Sequence, residues 1–423
     1  MTTATLEKLA LHGGPRTVPE GTILPWPPKD ASDRDLVLAS LNGTNHAFGP
    51  NCIELQKEFA AWNGSRFAIA TNSGTAALHM AIAACGCGTA DEVLVPAYSW
   101  SSSATCILHH SCIPIFVDID FDTMLIDPAK LEEKISPRTK AIVAVHLHGL
   151  SADMDPILAV ARKHGLKVIE DACQAHGALY KGKKVGTLGD CAAFSFNQNK
   201  CLSAGEGGMF VTEDETLHRN AQQLWSFGET RAPSESRDFH AYALGWMYRT
   251  SDLPAAFARA QLRKLDGYLA HQRRAVSRLT EQLAGVGGLL LPPQPDGRVW
   301  NGYNYVIRLD TSRSPSAQDA AAYRDRVVKA LQAEGVPATV WQKFILPSMT
   351  VFRAQNGFGA GHPWSHPLAR PVVYDPAEYP IAQRHCDTHF CIINPLRMPN
   401  GDEAVDAVAR GIHKVMANLS NLD

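Results

Sequence analysis

Short β-rich runs alternate with segments that can form helices between residues 66 and 212. The seven runs are RFAIAT, DEVLVPA, CIPIFVDI, KAIVAVH, KVIEDA, CAAFSF and GGMFVT. Segments 74–85 and 154–164 are two of the helix candidates between them. This alternation predicts an α/β domain with a mostly parallel sheet covered by helices on both faces. The strands are nearly continuous in apolar residues, which burial on both faces requires.

The character of the chain changes after Arg249. Residues 254–285 have helical periodicity over most of their length and predict a helical spine leading out of the sheet domain. Further on come a strand candidate at 303–310, a helix candidate at 317–335, a Pro/Gly/His-rich connection at 347–371 and a last helix near 401–419. We therefore expect an N-terminal arm (1–40), a large domain (41–265) and a smaller C-terminal α/β domain (266–423).

Charge and composition exclude several classes of partner. The chain has 40 basic and 42 acidic residues, so it offers no overall field for nucleic acid or for an anionic membrane. No segment reaches the roughly 18 uninterrupted apolar residues of a membrane span, and the N-terminus lacks a secretory pattern. We expect a cytoplasmic protein whose cysteines are reduced, since several of the ten lie within apolar runs.

Metal binding is not expected. Cys85-Gly-Cys87 lacks the two-residue spacer of common zinc pairs. His146 and His148 alternate on one predicted strand face, but no third ligand with suitable spacing accompanies them.

The first candidate for chemistry is the stretch TNSGTAALHM, residues 71–80, in which a strand ends and an apolar helix begins. Ligands bind beyond the carboxyl ends of strands in open α/β sheets. Free N–H groups at a helix start bind phosphate, and Gly74 would let an anion approach the backbone beside Ser73 and Thr75. An ordinary helix cap by Asn72 or Ser73 is the alternative.

Three further side chains stand at predicted strand ends. Trp100 could lie flat on a planar ring, or it could be an aromatic residue of the core. Asp171 ends a strand expected to be central and buried, where an unpaired carboxylate is costly, so we expect a cationic partner. The alternative is a structural role, as a helix cap or in a pair with an arginine. Lys200 follows CAAFSF, and crowding is expected to lower its pKa and make it a nucleophile for a carbonyl.

Together these residues supply what pyridoxal 5'-phosphate requires from a protein. The requirements are an anion cradle, a stacking ring, a carboxylate for the pyridinium nitrogen and a lysine that forms a Schiff base. One cofactor site explains four such features at strand ends better than four coincidences do.

A family resemblance supports this interpretation. It is carried by the segments 48–78, VPAYSW (95–100), PIFVDID (114–120), HLHGLSADMDPI (146–157), EDACQAHGA (170–178), 186–212 and LGWMYRTSDLPAAFARAQL (244–262). In this order they resemble the motifs of the StrS/DegT-type sugar and cyclitol aminotransferases, over more than half of the chain. The resemblance implies the type I, aspartate aminotransferase-like fold, with a seven-stranded, mostly parallel sheet, a smaller C-terminal domain and a homodimer with active sites at the subunit interface.

The resemblance also implies roles for individual residues. Lys200 corresponds to the Schiff-base lysine, Asp171 to the partner of the pyridine nitrogen, and Gln174 to a neighbour of the phenolic oxygen. Trp100 would stack on the ring. The residues implied to hold the phosphate are Gly74, Thr75 and Ser195. His176 belongs to the same motif without an assigned role, and an interior histidine with satisfied hydrogen bonds is the alternative.

The chain departs from the family pattern at Met247. The family usually has an asparagine there that reaches the partner subunit's phosphate, and a thioether cannot donate a hydrogen bond to phosphate. Arg249 stands at the family's arginine position and is expected to supply the contact across the dimer.

The resemblance implies transamination from an amino acid, glutamate or glutamine, to a keto-sugar or keto-cyclitol, with products used in antibiotics or surface polysaccharides. A PLP-dependent dehydratase or an aromatising synthase on the same scaffold is the alternative, although dehydratases of this group typically replace the lysine by histidine. A non-catalytic PLP-fold sensor could lose Lys200 or Asp171, and this chain has both. Tyr303, Tyr305 and Trp341 are expected to pack within the small domain.

Overall fold

The computed structural model describes residues 7–230, 239–311 and 319–422. The strands are β1 (Phe67–Thr71), β2 (Glu92–Pro96), β3 (Ile113–Val117), β4 (Thr139–Val145), β5 (Lys167–Asp171), β6 (Leu179–Tyr180), β7 (Lys183–Lys184), β8 (Cys191–Ser195), β9 (Gly208–Thr212), β10 (Leu289–Leu290), β11 (Arg298–Val299), β12 (Tyr305–Leu309), β13 (Ala338–Thr339) and β14 (His389–Ile392). The α-helices are α1 (Ala31–Leu41), α2 (Pro50–Asn63), α3 (Gly74–Ala84), α4 (Ser102–His109), α5 (Met154–His164), α6 (Glu215–Trp225), α7 (Asp252–Leu262), α8 (Leu265–Leu283), α9 (Ala320–Ala333), α10 (Thr350–Arg353), α11 (Pro380–Thr388) and α12 (Asp402–Ala417).

The seven predicted runs form one sheet, in the order β1-β9-β8-β5-β4-β2-β3. Neighbours from β8 to β3 are parallel, whereas β9 is antiparallel to both β1 and β8. Strands β1 and β8 therefore run in the same direction, and their carboxyl ends lie at the same edge of the sheet. The prediction of a seven-stranded, mostly parallel α/β fold is confirmed, and β5 is the central strand.

Helices cover both faces of this sheet because each strand is apolar on both sides. Along β2, Val93 and Val95 belong to an apolar cluster that includes α3 and α4. Leu94, which points to the opposite face, belongs to a second cluster that includes α5. Alternate strand residues thus enter different cores, as the period of two in a strand requires.

A smaller antiparallel sheet lies in the C-terminal part, in the order β10-β12-β14-β13. It packs with α8, α9 and α12 in a cluster that also contains Leu9 and Val18 from the N-terminal segment. A short third sheet joins β11 to β6 and β7, and so ties the chain before β12 to the turn after β5. The segment leading into β12 consequently lies beside the turn that follows β5.

The helical spine predicted for 254–285 is two helices, α7 and α8, separated at Arg263 and Lys264. The reason is that the helices bury their apolar faces on different partners, α7 on α1 and α2, and α8 on α12. At the break, Arg263 pairs with Glu58 at 2.9 Å and Lys264 pairs with Asp33 at 2.5 Å. Tertiary packing here overrides a continuous helical pattern.

The other C-terminal predictions match the structure closely where it describes them. The candidate strand 303–310 contains β12, and the candidate helix near 401–419 contains α12. The candidate helix 317–335 contains α9, but 317 and 318 lie outside the described residues, as do 1–6 of the arm and 423 of the small domain. The predicted connection 347–371 includes the short helix α10. The domain boundaries 1–40, 41–265 and 266–423 stay a prediction.

Within the described ranges, no helix has both the length and the apolar character needed to cross a bilayer. All ten cysteines are free thiols.

Glu170, on β5, holds the segment that precedes β8 in place near the carboxyl ends of the strands. Its buried carboxylate accepts hydrogen bonds from the backbone N–H groups of Gly186, Leu188 and Gly189, each at 2.7 Å, and from His146 Nε2 at 2.8 Å. Burial raises the pKa of this carboxyl, but the His146 and backbone hydrogen bonds more than offset it, so the pKa lies below its ordinary value of 4.5.

The Glu170→Gln variant should be destabilised by about 3 kcal/mol, because an amide NH₂ would face backbone donors in a buried site. Since the folded pKa of Glu170 is lowered, its contribution is present at neutral pH and is lost as the pH falls through that pKa, below 4.5. Urea unfolding at pH 7 measures the effect. Glu132→Gln is the control, since Glu132 pairs with Lys163 at the surface. Equal, small losses in both variants would contradict this role.

Candidate active site

A cavity of about 440 Å³ opens where β1, β5 and β8 end. Its volume is that of an ordinary small-molecule site. It is lined by Ser73, Gly74, Thr75, Trp100, Ser102, Asp171, Cys173, Gln174, Ser195, Asn197, Asn199, Lys200, Glu206, Tyr303 and Trp341. The structure therefore brings together every predicted site residue except Arg249.

The start of α3 forms one wall of the cavity. Ser73 is the N-cap, and its side chain accepts a hydrogen bond from the N–H of Ala76 at 3.1 Å. Gly74 lies so close to the end of β8 that an added Cβ would be 2.8 Å from the Ser195 Cβ and 2.9 Å from the Cys173 Sγ. This stretch is a capped helix, as the alternative had it, and Gly74 allows the start of α3 to pack against the end of β8 at the wall of the cavity. Phosphate binding at this helix start stays a prediction.

Asp171 lies at the floor of the cavity and is 5% exposed. Its carboxylate accepts hydrogen bonds from Ser103 Oγ at 2.6 Å and from the N–H of Cys173 at 3.2 Å. Among the residues that the structure describes, no lysine or arginine side chain forms an ion pair with it. Within the described residues Asp171 therefore neither caps a helix nor pairs with an arginine, and a cationic ligand as its partner stays a prediction.

Gln174, in the turn after β5, has a fixed amide orientation. Its Oε1 accepts a hydrogen bond from the N–H of His148 at 2.8 Å. The amide nitrogen has no hydrogen-bond partner among the described residues, and it is the group available to donate to an oxygen in the cavity.

Lys200 lies in the turn that follows β8 and is partly buried. Its Nζ is 3.2 Å from Tyr303 Oη and 4.9 Å from the centroid of the Tyr303 ring. The prediction of a lowered pKa is wrong. Burial lowers the pKa of Lys200, but the contacts with Tyr303, including its hydrogen bond, and the negative charge of Asp171 act in the opposite direction, and the pKa lies above its ordinary value. The amine is therefore protonated at neutral pH in the free site.

Two indole rings stand at the mouth of the cavity. Trp100 is 53% exposed, so the alternative of a core aromatic is wrong. Its ring centroid is 6.1 Å from that of Trp341, with an interplanar angle of 49°. The predicted packing role holds only for Tyr305, which is buried in the small-domain core. Tyr303 and Trp341 line the cavity, and the sequence contains no local signal for this, because both lie more than 100 residues beyond Lys200.

Arg249 is a predicted site residue, but it does not line the cavity of its own chain. Its guanidinium donates to Ser226 Oγ at 3.2 Å and lies 5.2 Å from the centroid of the Phe227 ring. Met247 is half exposed on the same segment. A role for Arg249 in the partner's cavity stays a prediction.

Three histidines near the site, His146, His148 and His176, are buried. His176 is buried, as expected, but neither ring nitrogen has a well-formed hydrogen bond within the described ranges, and burial lowers its pKa to about 3. His146 and His148 lie beyond the end of β4 rather than on it. His146 Nδ1 accepts the N–H of Ala152 at 3.0 Å, so its Nε2 carries the proton donated to Glu170. Across the described residues, no group of three or more potential ligands could hold a metal ion.

The cavity fits pyridoxal phosphate, the cofactor that the resemblance implies. The N–H groups at the start of α3 are suited to a phosphate, and the buried Asp171 carboxylate forms no ion pair with a described lysine or arginine. The Lys200 amine reaches the same space. These groups match the phosphate, the ring nitrogen and the aldehyde of that cofactor.

Comparisons with known proteins agree with this interpretation. The sequence model of the DegT/DnrJ/EryC1/StrS aminotransferase family matches residues 28–381. A GDP-perosamine synthase from Caulobacter vibrioides is 41% identical over 315 residues, covering 73% of this chain and 81% of that protein. L-glutamine:scyllo-inosose aminotransferase from Streptomyces griseus is 34% identical over 437 aligned positions, covering 97% of this chain and 98% of that protein. The crystal structure of 3-amino-5-hydroxybenzoic acid synthase, 26% identical, superposes with a TM-score of 0.83, covering 94% of this chain and 99% of that chain.

The Gly74→Ala variant should bind pyridoxal phosphate more weakly than the wild type. The added methyl group would force Ser195 and Cys173 away from the start of α3, and overpacking of this kind costs about 1–3 kcal/mol. We expect the dissociation constant, measured by titrating the apoprotein, to rise roughly tenfold or more. Gly267→Ala in α8 is the control, since an added Cβ there meets nothing within 4 Å. Unchanged affinity in Gly74→Ala would show that this close approach does not serve the cofactor.

Proposed function

The chain belongs to the DegT/DnrJ/EryC1/StrS aminotransferase family, and on that premise we propose which residues carry its reaction and how. The enzyme is a PLP-dependent aminotransferase that moves an amino group from glutamate or glutamine to a keto-sugar or keto-cyclitol, in secondary-metabolite or polysaccharide biosynthesis. The observation that carries the site assignment is the convergence of Lys200, Asp171 and the start of α3 on one cavity.

The protein groups divide the work of holding the cofactor. N–H groups at Gly74 and Thr75 and the hydroxyl of Ser195 would hold the phosphate. Asp171 would accept a hydrogen bond from the protonated ring nitrogen, and its burial strengthens that interaction. Gln174 Nε2 would donate to the phenolic oxygen, and the Trp100 indole offers a flat apolar face.

Lys200 is the group that moves protons. When bound, pyridoxal phosphate supplies a carbonyl carbon for the lysine and a cationic ring that draws electrons from the bonds at the donor's α-carbon. Lys200 Nζ takes the proton released from that carbon, acting as a general base. After the donor has left as a keto acid, the same amine serves the ketone substrate in the reverse direction, in the same cavity.

A PLP-dependent synthase or dehydratase is the second candidate. It is favoured by the close superposition on 3-amino-5-hydroxybenzoic acid synthase. The relative from Caulobacter vibrioides, which is 41% identical, is named for perosamine synthesis. The relative from Streptomyces griseus, whose alignment covers 97% of this chain, is named for aminotransfer. A non-catalytic sensor is disfavoured, since such a protein would not need both Lys200 and Asp171 in one cavity.

We further propose a homodimer whose subunits share active sites. An exposed apolar stretch supports it: the side chains of Phe239, Tyr242, Leu244 and Met247 are all at least half exposed. Monomeric proteins rarely expose apolar surface so densely. Arg249 lies on the same segment, where it would reach the partner's cavity. We also propose a cytoplasmic location, which the ten free thiols support.

Product analysis tests the proposed reaction. With glutamate or glutamine and a panel of keto-cyclitols and nucleotide-linked keto-sugars, we expect one acceptor class to yield a product with an amine at the former ketone carbon. Lys200→Ala should lose turnover with its fold intact, because no other described amine lines the cavity, whereas Lys183→Ala at the surface should not. Loss of water without amination, or undiminished amination by Lys200→Ala, would refute the proposal.

Subunit complementation tests the shared site. Lys200→Ala and Arg249→Ala homodimers should each be nearly inactive. A purified hybrid of the two should recover about half the wild-type activity per dimer, because one of its two sites combines an intact Lys200 with an intact Arg249 from the other subunit. A hybrid as inactive as its parents would mean that Arg249 serves its own chain.

A further inference from the structure

Tyr303 is the residue in closest polar contact with the reactive amine. Its side chain is 6% exposed, its Oη is 3.2 Å from Lys200 Nζ, and its ring faces the same nitrogen. Because an ammonium has only donors, the phenolic oxygen is the acceptor in this hydrogen bond. The ring face adds a favourable cation–π contact.

The backbone of Tyr303 is held by a buried asparagine. Asn301 Oδ1 accepts the Tyr303 N–H at 2.9 Å, and its Nδ2 donates to the carbonyls of Gln174 at 2.9 Å and His176 at 3.2 Å. An added Cβ at Gly149 would be 1.8 Å from Asn301 Oδ1, so only glycine allows this approach. Tyr303 is thereby fixed to the turn that follows Asp171.

Arg397 holds Tyr303 and the lysine turn in one frame. Its guanidinium lies between the rings of Trp26 and Tyr303, 5.4 and 5.2 Å from their centroids. It donates to the carbonyls of Asn199 at 2.8 Å and Tyr303 at 3.2 Å. Trp26 Nε1 donates to the carbonyl of Lys200 at 3.0 Å. Both partners of the Lys200–Tyr303 contact are thus positioned by the same buried group.

We propose that Tyr303 is a further catalytic residue, whose phenolic oxygen accepts a hydrogen bond from Lys200, aims the lone pair of the free amine into the cavity and stabilises the ammonium that forms. The inference rests on the proposed role of Lys200. When the donor's α C–H bond breaks, its electron pair is left at the α-carbon, from which the bound cofactor would draw it, and the Lys200 lone pair forms the new N–H bond. Tyr303 keeps its own proton throughout.

Electrostatics agree with this geometry. Burial alone lowers the pKa of Lys200, and the hydrogen bond to Tyr303 is one of the contributions that raise it. Removing the phenolic oxygen should therefore lower the pKa of Lys200 and weaken it as a base. A tyrosine that only contacted the ketone substrate would have no such effect on the amine.

The test compares the wild type with Tyr303→Phe, and uses Tyr305→Phe as the matched control. Tyr305 is two residues away, and its hydroxyl contacts Thr280 at 2.9 Å, outside the cavity. In the holoenzyme, borohydride reduction and peptide mapping should place the cofactor on Lys200 in all three proteins. With the cofactor in its amine form, the pH dependence of Lys200 labelling by an amine-reactive reagent reports its pKa directly.

For Tyr303→Phe we expect kcat to fall roughly ten- to a hundredfold, the donor KM to stay within about twofold, and the labelling midpoint of Lys200 to move to lower pH. Tyr305→Phe should change none of these. An unchanged labelling midpoint, or a rise in the acceptor KM alone, would overturn the inference while the proposed function stands. Failure to find the cofactor on Lys200 of the wild type would overturn both.

Discussion

The buried carboxylate of Asp171 is the charge on which the arrangement of the site depends. It lies at the end of the central strand, where an uncompensated carboxylate is costly, and it has hydrogen-bond donors from Ser103 and Cys173 but no ion pair within the described part of the chain. In the proposed site a protonated ring nitrogen would remove that deficit and gain a strong hydrogen bond. On this proposal, the Asp171 carboxylate would both favour the binding of a cationic ring and keep the ring nitrogen protonated for the reaction.

Two consecutive residues of β5 connect this charge to the scaffold. Side chains alternate along a strand, so Glu170 faces away from the cavity and holds the turn that precedes β8, while Asp171 faces into it. Because β8 leads directly to Lys200, the separation of carboxylate and amine is set by these strands and by the bonds of Glu170. From the C-terminal side, Arg397 fixes Tyr303 against the same lysine. The large sheet and the C-terminal part of the chain thus both position the Lys200 amine.

The sequence predicts the large sheet well, since its strands are short, apolar on both faces and separated by clear helices. It also predicts that the candidate residues at the strand ends lie together, because parallel strands bring their carboxyl ends to one edge of the sheet. It does not predict Tyr303 or Trp341, whose place depends on how the C-terminal part packs on the sheet. The raised pKa of Lys200 is missed for the same reason: the crowding is evident from sequence, but its tyrosine neighbour is not. The break between α7 and α8 likewise follows from their different packing partners.

The most direct measurement is a crystal structure of the enzyme with pyridoxal phosphate bound. We predict that Lys200 Nζ is covalently joined to the cofactor, that the ring nitrogen lies about 2.7–2.9 Å from the Asp171 carboxylate, and that the phosphate lies at the start of α3. A cofactor bound elsewhere, or one whose ring nitrogen contacts a group other than Asp171, would contradict the account.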